Sequence, residues 1–175
     1  LARDTQGTCQ EARRLWKAVG RENVMIKVPA TNEGIPAITQ LISEGINVNV
    51  TLIFSREVYE QVAEAYMRGL ERFAKDHDDL GRIASVASFF VSRIDTAVDA
   101  IVTERLSKAR TIEERTPLQR IRGQVAIANA RLAYARYKTL FAGERWRALE
   151  RQGAQTQRLL WASTGTKDPK YSDVL

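Results

Sequence analysis

The sequence contains one cysteine and one histidine, and this scarcity limits the sites that it can build. The single thiol, Cys9, cannot form a disulfide within the chain, which fits a reducing compartment. We interpret Cys9 as a surface or helix-start residue, with a catalytic thiol as the open alternative. His77 lies in the acidic segment 76–79, a predicted solvated turn with too few ligands in a defined geometry for a metal. We therefore expect no metal site.

The sequence also lacks long apolar runs. None approaches the roughly 20 apolar residues that a membrane-spanning helix requires. No apolar stretch follows residues 1–4, as it would in a signal peptide. We expect no membrane contact and a cytoplasmic location. Because the chain begins with Leu1 rather than Met, we also expect the natural protein to begin upstream.

The net charge of +6 comes from basic residues that are spread along the chain and are often neighbours of acidic ones. Only residues 115–122 form a dense basic run. A nucleic-acid module more often shows a concentrated basic stripe with exposed aromatic residues. We interpret the charge as a weak indication of a phosphorylated ligand and expect no nucleic-acid partner.

Short apolar runs alternate with longer amphipathic segments. The apolar runs predict strands at residues 24–28, 46–54, 83–89 and 158–163. The amphipathic segments predict helices at residues 8–19, 34–44, after Ser55, around 94–106, at 124–141 and at 144–152. Residues 110–123, which are charged and contain Pro117, are predicted to be an irregular connection. This alternation implies a parallel sheet, either a small open α/β sheet or part of a barrel.

The second predicted strand carries polar residues on one face. Because side chains alternate along a strand, Asn47, Asn49 and Thr51 share a face opposite Val48 and Val50. Strands of a parallel sheet that is covered on both sides are usually apolar throughout. The polar row therefore indicates a face toward water or a ligand. The alternative is a strand whose Asn and Thr side chains only bond one another.

Lys27 interrupts the otherwise apolar first strand near its end. Desolvation of a buried lysine favours the neutral amine that Schiff-base formation needs. The alternative is a lysine whose ammonium group extends to water at the end of the sheet.

The third and fourth predicted strands also end in polar or basic residues. Ser88 ends the third strand, and Arg93 follows at the start of a helix, an arrangement that suits a phosphate. Ser163 and Lys167 take similar positions after the fourth strand. Barrel enzymes build their sites at the C-terminal ends of strands, so these residues together indicate a site there.

These segments resemble transaldolases in order over nearly the whole chain. Residues 23–31, followed by Gly34 and Ile35, resemble the active-lysine segment of that family, and residues 45–55 and 88–95 resemble its next two strands. Residues 157–167 resemble the bacterial branch that includes transaldolases fused to glucose-6-phosphate isomerase. The resemblance implies an α/β (βα)8 TIM barrel, of which this chain supplies about four βα units, roughly strands four to seven.

The resemblance also implies a reaction without a cofactor. A dihydroxyacetone unit moves from a ketose phosphate, sedoheptulose 7-phosphate or fructose 6-phosphate, to an aldose phosphate in the pentose phosphate pathway. Lys27 forms the Schiff base, and Thr51 helps to hold a catalytic water. The implied substrate-binding residues are Asn49, Ser88, Arg93, Ser163 and Lys167. Of these, Arg93 binds the phosphate, and Lys167 stands where many relatives use an arginine.

The family also uses an Asp, an Asn and a Glu on its first three strands, which we expect to precede this chain, and a last strand, which we expect to follow it. We expect residues 1–175 to form a partial barrel domain that is inactive alone and self-associates through exposed sheet edges. Two other hypotheses stay open. One is another Schiff-base aldolase without acceptor transfer, and the other is a non-enzymatic basic module that binds nucleic acid.

Overall fold

The computed structural model describes residues 1–165 of the chain. Its strands are β1 (Ile26–Pro29), β2 (Val48–Ile53), β3 (Ser85–Phe90) and β4 (Arg158–Ala162). The helices are α1 (Thr5–Val19), α2 (Gly34–Ser43), α3 (Arg56–Phe73), α4 (Ser92–Lys108), α5 (Ile112–Ile121), α6 (Val125–Leu140) and α7 (Glu144–Glu150). Strands and helices alternate, which confirms the α/β class. Within the described range, no helix is both long and apolar enough to cross a membrane.

The four strands form one parallel sheet in the order β1-β2-β3-β4. Because connections between parallel strands are almost always right-handed, this sequential order brings all connecting helices to the same face. A doubly wound sheet instead reverses its order at a switch point and carries helices on both faces. The order therefore favours an arc of a (βα)8 barrel over an open doubly wound sheet.

The main hydrophobic core lies between the helices and the outer face of the sheet. Val28, Val50 and Phe89 are fully buried on this face. They belong to one cluster with helical residues such as Leu41 of α2 and Tyr66 of α3. This core holds the four strands in a fixed register from one side only.

The inner face of the sheet is exposed on the edge strands β1 and β4, whereas its positions on β3, such as Ser88, are buried. Lys27, Arg158 and Leu160 lie within strands, yet their side chains are exposed. Their immediate neighbours along the strands are more buried because they point outward to the helices. Lys27, Arg158 and Leu160 therefore fall on the side opposite the helices, which corresponds to the interior of a (βα)8 barrel.

The prediction of an irregular connection at residues 110–123 is wrong, because Ile112–Ile121 forms α5. A capping box begins this helix: Thr111 Oγ1 accepts a hydrogen bond from the Glu114 N–H, and the Glu114 carboxylate accepts one from the Thr111 N–H. Pro117 removes one backbone donor inside the helix. The capping box at Thr111 and Glu114 therefore favours the helix more than Pro117 disfavours it.

The other predicted elements are confirmed with small shifts at their ends. α1 begins before the predicted residue because the Asp4 carboxylate accepts a hydrogen bond from the Gly7 N–H and caps the helix. Ser55 caps α3 as predicted, with its hydroxyl 3.2 Å from the Val58 nitrogen. β1 includes Pro29 and ends there, since proline has no N–H to donate to the sheet.

Candidate functional site

The inner face of the sheet brings Lys27, Asn49 and Ser88 side by side. Lys27 in β1 is the register partner of Asn49 in β2. Ser88 in β3 donates a hydrogen bond from Oγ to the Asn49 Oδ1, over 2.7 Å. The three side chains thus form a polar row across three neighbouring strands, with the only amine of the row at one end.

Of the two interpretations of Lys27, the structure agrees with a lysine that extends to water, because its side chain is exposed. Ile26 and Val28 are buried on the face that meets the helices. Alternation along β1 therefore turns Lys27 to the inner face, which the described residues leave open. Burial of this amine requires additional chain over the inner face.

A bulge in β2 lies beside the polar row. Thr51 and Leu52 of β2 together occupy the space opposite Ser88 of β3. Leu52 has a φ of 61°, a left-handed conformation that costs a residue with a Cβ roughly 1–2 kcal/mol. The bulge lets Val50 and Ile53 both face the core, three residues apart instead of two. It releases Thr51 and Leu52 from the strict alternation that the sequence pattern assumed.

Thr51 is the residue of this bulge whose hydroxyl group is unsatisfied in the described part of the chain. Its side chain is buried, and its Oγ1 has no hydrogen-bond partner in the described part of the chain. A buried hydroxyl without a partner costs about 1–3 kcal/mol. Next to the polar row, such a hydroxyl is suited to bind a ligand or a water molecule.

Ser92 and Ser163 meet where β3 and β4 end, and Arg93 follows Ser92 in the chain. Ser92 and Arg93 are the first two residues of α4, and Ser163 directly follows β4. The Ser92 N–H donates to the Ser163 carbonyl over 2.8 Å, and the two hydroxyl oxygens are 3.0 Å apart. The N-terminus of a helix together with an exposed guanidinium favours an anionic ligand.

One predicted polar residue lies apart from this group. Asn47 precedes β2, where its Nδ2 donates to the Glu22 carbonyl and its Oδ1 accepts from the Ala84 N–H. It therefore fastens the backbone at the N-terminal end of the sheet and does not extend the polar row. Lys167 lies outside the described residues.

Cys9 does not have the surroundings of a reactive thiol. It is 5% exposed and belongs to the main hydrophobic core. Burial raises the pKa of its thiol, so the thiolate is disfavoured. The structure therefore argues against the alternative of a catalytic cysteine.

Two neighbours of the site were missed by the sequence pattern. Ser92 directly precedes Arg93 at a helix start, a position that could have indicated its contact with Ser163. The ring of Phe90 lies under the Arg93 guanidinium, with the carbon Cζ 5.0 Å from the ring centroid. Nothing in the apolar run that ends β3 distinguishes this phenylalanine from a core residue.

The inner-face positions of the four strands supply an amine, amide and hydroxyl groups, and a guanidinium, but no carboxylate. These positions are occupied by Lys27, Pro29, Asn49, Thr51, Val86, Ser88, Phe90, Arg158, Leu160 and Ala162. Within residues 1–165 no three His, Cys, Asp or Glu side chains are grouped so that they could hold a metal ion. The arrangement can form and orient an imine, while acid–base catalysis by a carboxylate needs a residue from elsewhere.

Comparison with known proteins assigns the whole chain to one family. The sequence profile described as Transaldolase/Fructose-6-phosphate aldolase matches residues 1–175. The chain is 54% identical over 175 residues to a transaldolase of Trichodesmium erythraeum, covering 100% of the chain and 46% of that relative. It is 57% identical over 175 residues to a transaldolase of Thermobifida fusca, covering 100% of the chain and 45% of that relative. It thus spans less than half the length of these curated relatives. This chain belongs to the transaldolase/fructose-6-phosphate aldolase family.

Proposed function

We propose that residues 1–175 are four consecutive βα units of a transaldolase barrel, roughly its strands four to seven. The observation that carries the proposal is the pairing of Lys27 with Asn49, which is hydrogen-bonded to Ser88, on the open inner face. The full-length parent transfers a dihydroxyacetone unit from sedoheptulose 7-phosphate or fructose 6-phosphate to an aldose phosphate. The reaction belongs to the pentose phosphate pathway in the cytoplasm.

In this mechanism Lys27 is the nucleophile. Its neutral amine attacks C2 of the ketose phosphate, and loss of water gives an imine. A base then takes the proton of the C4 hydroxyl, the C3–C4 bond breaks, and the aldose leaves while the electron pair moves into the imine as an enamine. The enamine carbon attacks the aldehyde of the acceptor, whose oxygen takes up a proton. Water finally releases the product and restores the amine.

The other residues bind and orient the intermediate. Asn49 and Ser88 lie beside Lys27, where they can bind hydroxyl groups of the sugar, and the unpartnered Thr51 hydroxyl suits the water of the hydrolytic step. Arg93 and Ser163, at the ends of β3 and β4, bind the phosphate. Lys167 adds a second positive charge to that phosphate.

Carbon–carbon cleavage requires an acid–base group that the four strands do not supply. The inner-face positions of β1 to β4 carry no carboxylate in the described range. The resemblance to the family implies that the parent contributes an Asp and a Glu from strands outside residues 1–175. This division matches a chain that spans about 45% of its relatives.

An acceptor-dependence assay tests this proposal on the full-length parent. Incubation with fructose 6-phosphate and erythrose 4-phosphate is expected to give sedoheptulose 7-phosphate, measured by mass spectrometry. Without an acceptor, free dihydroxyacetone is expected only in traces. The family description also includes fructose-6-phosphate aldolase, which makes simple cleavage the second candidate. Rapid release of dihydroxyacetone that is independent of acceptor would favour that aldolase.

We also propose that the isolated polypeptide 1–175 associates with itself. β1 and β4 are the edge strands of the described sheet, and such edges offer unpaired N–H and C=O groups to another strand. On the inner face, 42% of the surface of Leu160 is also exposed. Sedimentation velocity is expected to show dimers or larger species that grow with concentration. A monomer at all accessible concentrations contradicts this prediction.

A further inference from the structure

The proposed phosphate ligand Arg93 rests on a support made of three other residues. Its guanidinium carbon lies 5.0 Å from the ring centroid of Phe90. The Phe90 ring in turn contacts the ring of Phe54, with 5.1 Å between centroids and 42° between planes. The carbonyl of Phe54 accepts a hydrogen bond of 2.9 Å from Nδ2 of Asn129. The contacts therefore run from α6 through the ends of β2 and β3 to the start of α4.

Neither Phe54 nor Asn129 has a use in the proposed chemistry. Phe54 follows β2 and keeps 38% of its surface exposed, although an aromatic residue normally gains by full burial. Asn129 is separated from Phe54 by 75 residues in sequence, so its amide ties two distant elements together. A side-chain donor on a strand-end carbonyl fixes the backbone from which the Phe54 ring projects.

The side chain of Arg93 binds a phosphate more tightly when another residue holds it in place beforehand. Its side chain is exposed, and within residues 1–165 no carboxylate forms an ion pair with it, so no carboxylate holds its position. An unsupported arginine loses much rotamer freedom when it binds a phosphate. A guanidinium that is already stacked on an aromatic ring loses less, which strengthens binding without a new contact to the ligand.

We propose that Phe54 and Asn129 are positioning residues of the phosphate subsite, which hold Phe90 so that Arg93 is preorganised for a phosphate dianion. This inference deepens the proposed function and depends on the assignment of Arg93 to the phosphate. Phe54 and Asn129 act through Phe90 and Arg93 and do not touch the reacting carbon atoms. Replacement of either residue weakens phosphate binding and leaves the covalent chemistry at Lys27 intact.

The test compares Phe54→Leu and Asn129→Ala with the unchanged full-length parent. The KM for fructose 6-phosphate is expected to rise about two- to fivefold in Phe54→Leu, the scale of one exposed cation–π contact, with little change in kcat. Asn129→Ala is expected to act in the same direction. The kcat/KM for fructose, which has no phosphate, is expected to stay the same, a difference that general structural damage would not produce.

Two control variants separate support from simple packing. Phe54→Tyr keeps the ring and is expected to retain the unchanged KM. Leu132→Ala alters an exposed residue on α6, 55% exposed, and is expected to affect neither substrate. Equal losses of kcat/KM for fructose and fructose 6-phosphate in Phe54→Leu, or no loss with either, would overturn the inference.

Binding of inorganic phosphate, measured by isothermal titration calorimetry, separates this inference from the proposed function. It needs no turnover, and the Kd is expected to rise in Phe54→Leu by the same two- to fivefold. Trapping of the substrate imine with borohydride reports only on Lys27. A parent that binds phosphate through this support but forms no imine would sink the proposed function and keep the inference. Normal imine trapping together with unchanged phosphate binding in both variants would overturn the inference and keep the proposed function.

Discussion

Replacement of Lys27 in the full-length parent is expected to abolish transaldolase turnover. Lys27→Ala removes the only amine of the polar row, so no imine can form with the ketose. Lys27→Arg is expected to fail as well, because a guanidinium remains protonated and does not attack a carbonyl. Loss of a covalent nucleophile lowers kcat by about 10⁴-fold or more. Borohydride reduction in the presence of fructose 6-phosphate, followed by peptide mass spectrometry, is expected to place the trapped sugar on Lys27.

The matched control is Lys17→Ala, which removes an exposed lysine from the last turn of α1. This variant is expected to keep its activity and its imine at Lys27. Thermal unfolding of all variants identifies any loss of folded protein. Sugar trapped on another lysine, or full turnover in Lys27→Ala, would reject the assignment.

The isolated polypeptide 1–175 is expected to show little or no turnover. The proposed mechanism needs carboxylates that the described inner-face positions do not carry, and each acid–base group typically contributes about 10²–10⁴-fold. With two such groups missing, turnover is expected to be at least ~10⁴-fold below that of the parent. The open inner face also leaves Lys27 exposed and removes part of the wall that positions the substrate.

This prediction is measured as release of glyceraldehyde 3-phosphate in a coupled assay with purified polypeptide. The same polypeptide with Lys27→Ala reports any contaminating host enzyme. Robust turnover that disappears in the Lys27→Ala control would show that residues 1–175 carry the acid–base groups themselves. Addition of two separately expressed polypeptides, one with the preceding strands and one with the following strand, is expected to restore turnover, because the three pieces together close the barrel.

Local signals predicted most of the helices and strands. Apolar runs and caps are local properties, so Ser55 before α3 and Pro29 at the end of β1 could be interpreted directly from the residue order. The exception is α5, where Pro117 was given more importance than the capping box at Thr111 and Glu114. Whether residues 112–121 form a helix depended on the relative strength of two local signals: the capping box favours a helix, and Pro117 disfavours one.

The candidate site was predicted in part. Strand-end positions and the resemblance to a known family pointed to Lys27, Asn49, Ser88 and Arg93. Strict alternation did not predict the bulge at Thr51 and Leu52, because a bulge depends on the register with the neighbouring strand. It also assigned Asn47 to the polar face, whereas that amide bonds the backbone at the other end of the sheet.

The sequence by itself determined the α/β class, the family and the identity of the candidate nucleophile, because each depends on residue type and order along the chain. The alternation of strands and helices left an open sheet and a barrel arc as alternatives, and the resemblance implied the barrel. Only the tertiary structure showed the strand order β1-β2-β3-β4 that favours the arc, since this order is a relation between distant segments. It also decided that Lys27 is exposed, and that Phe54 and Asn129 support Arg93 through Phe90. Exposure and support depend on which segments lie next to one another in the folded chain. The order of residues along the sequence does not by itself specify this.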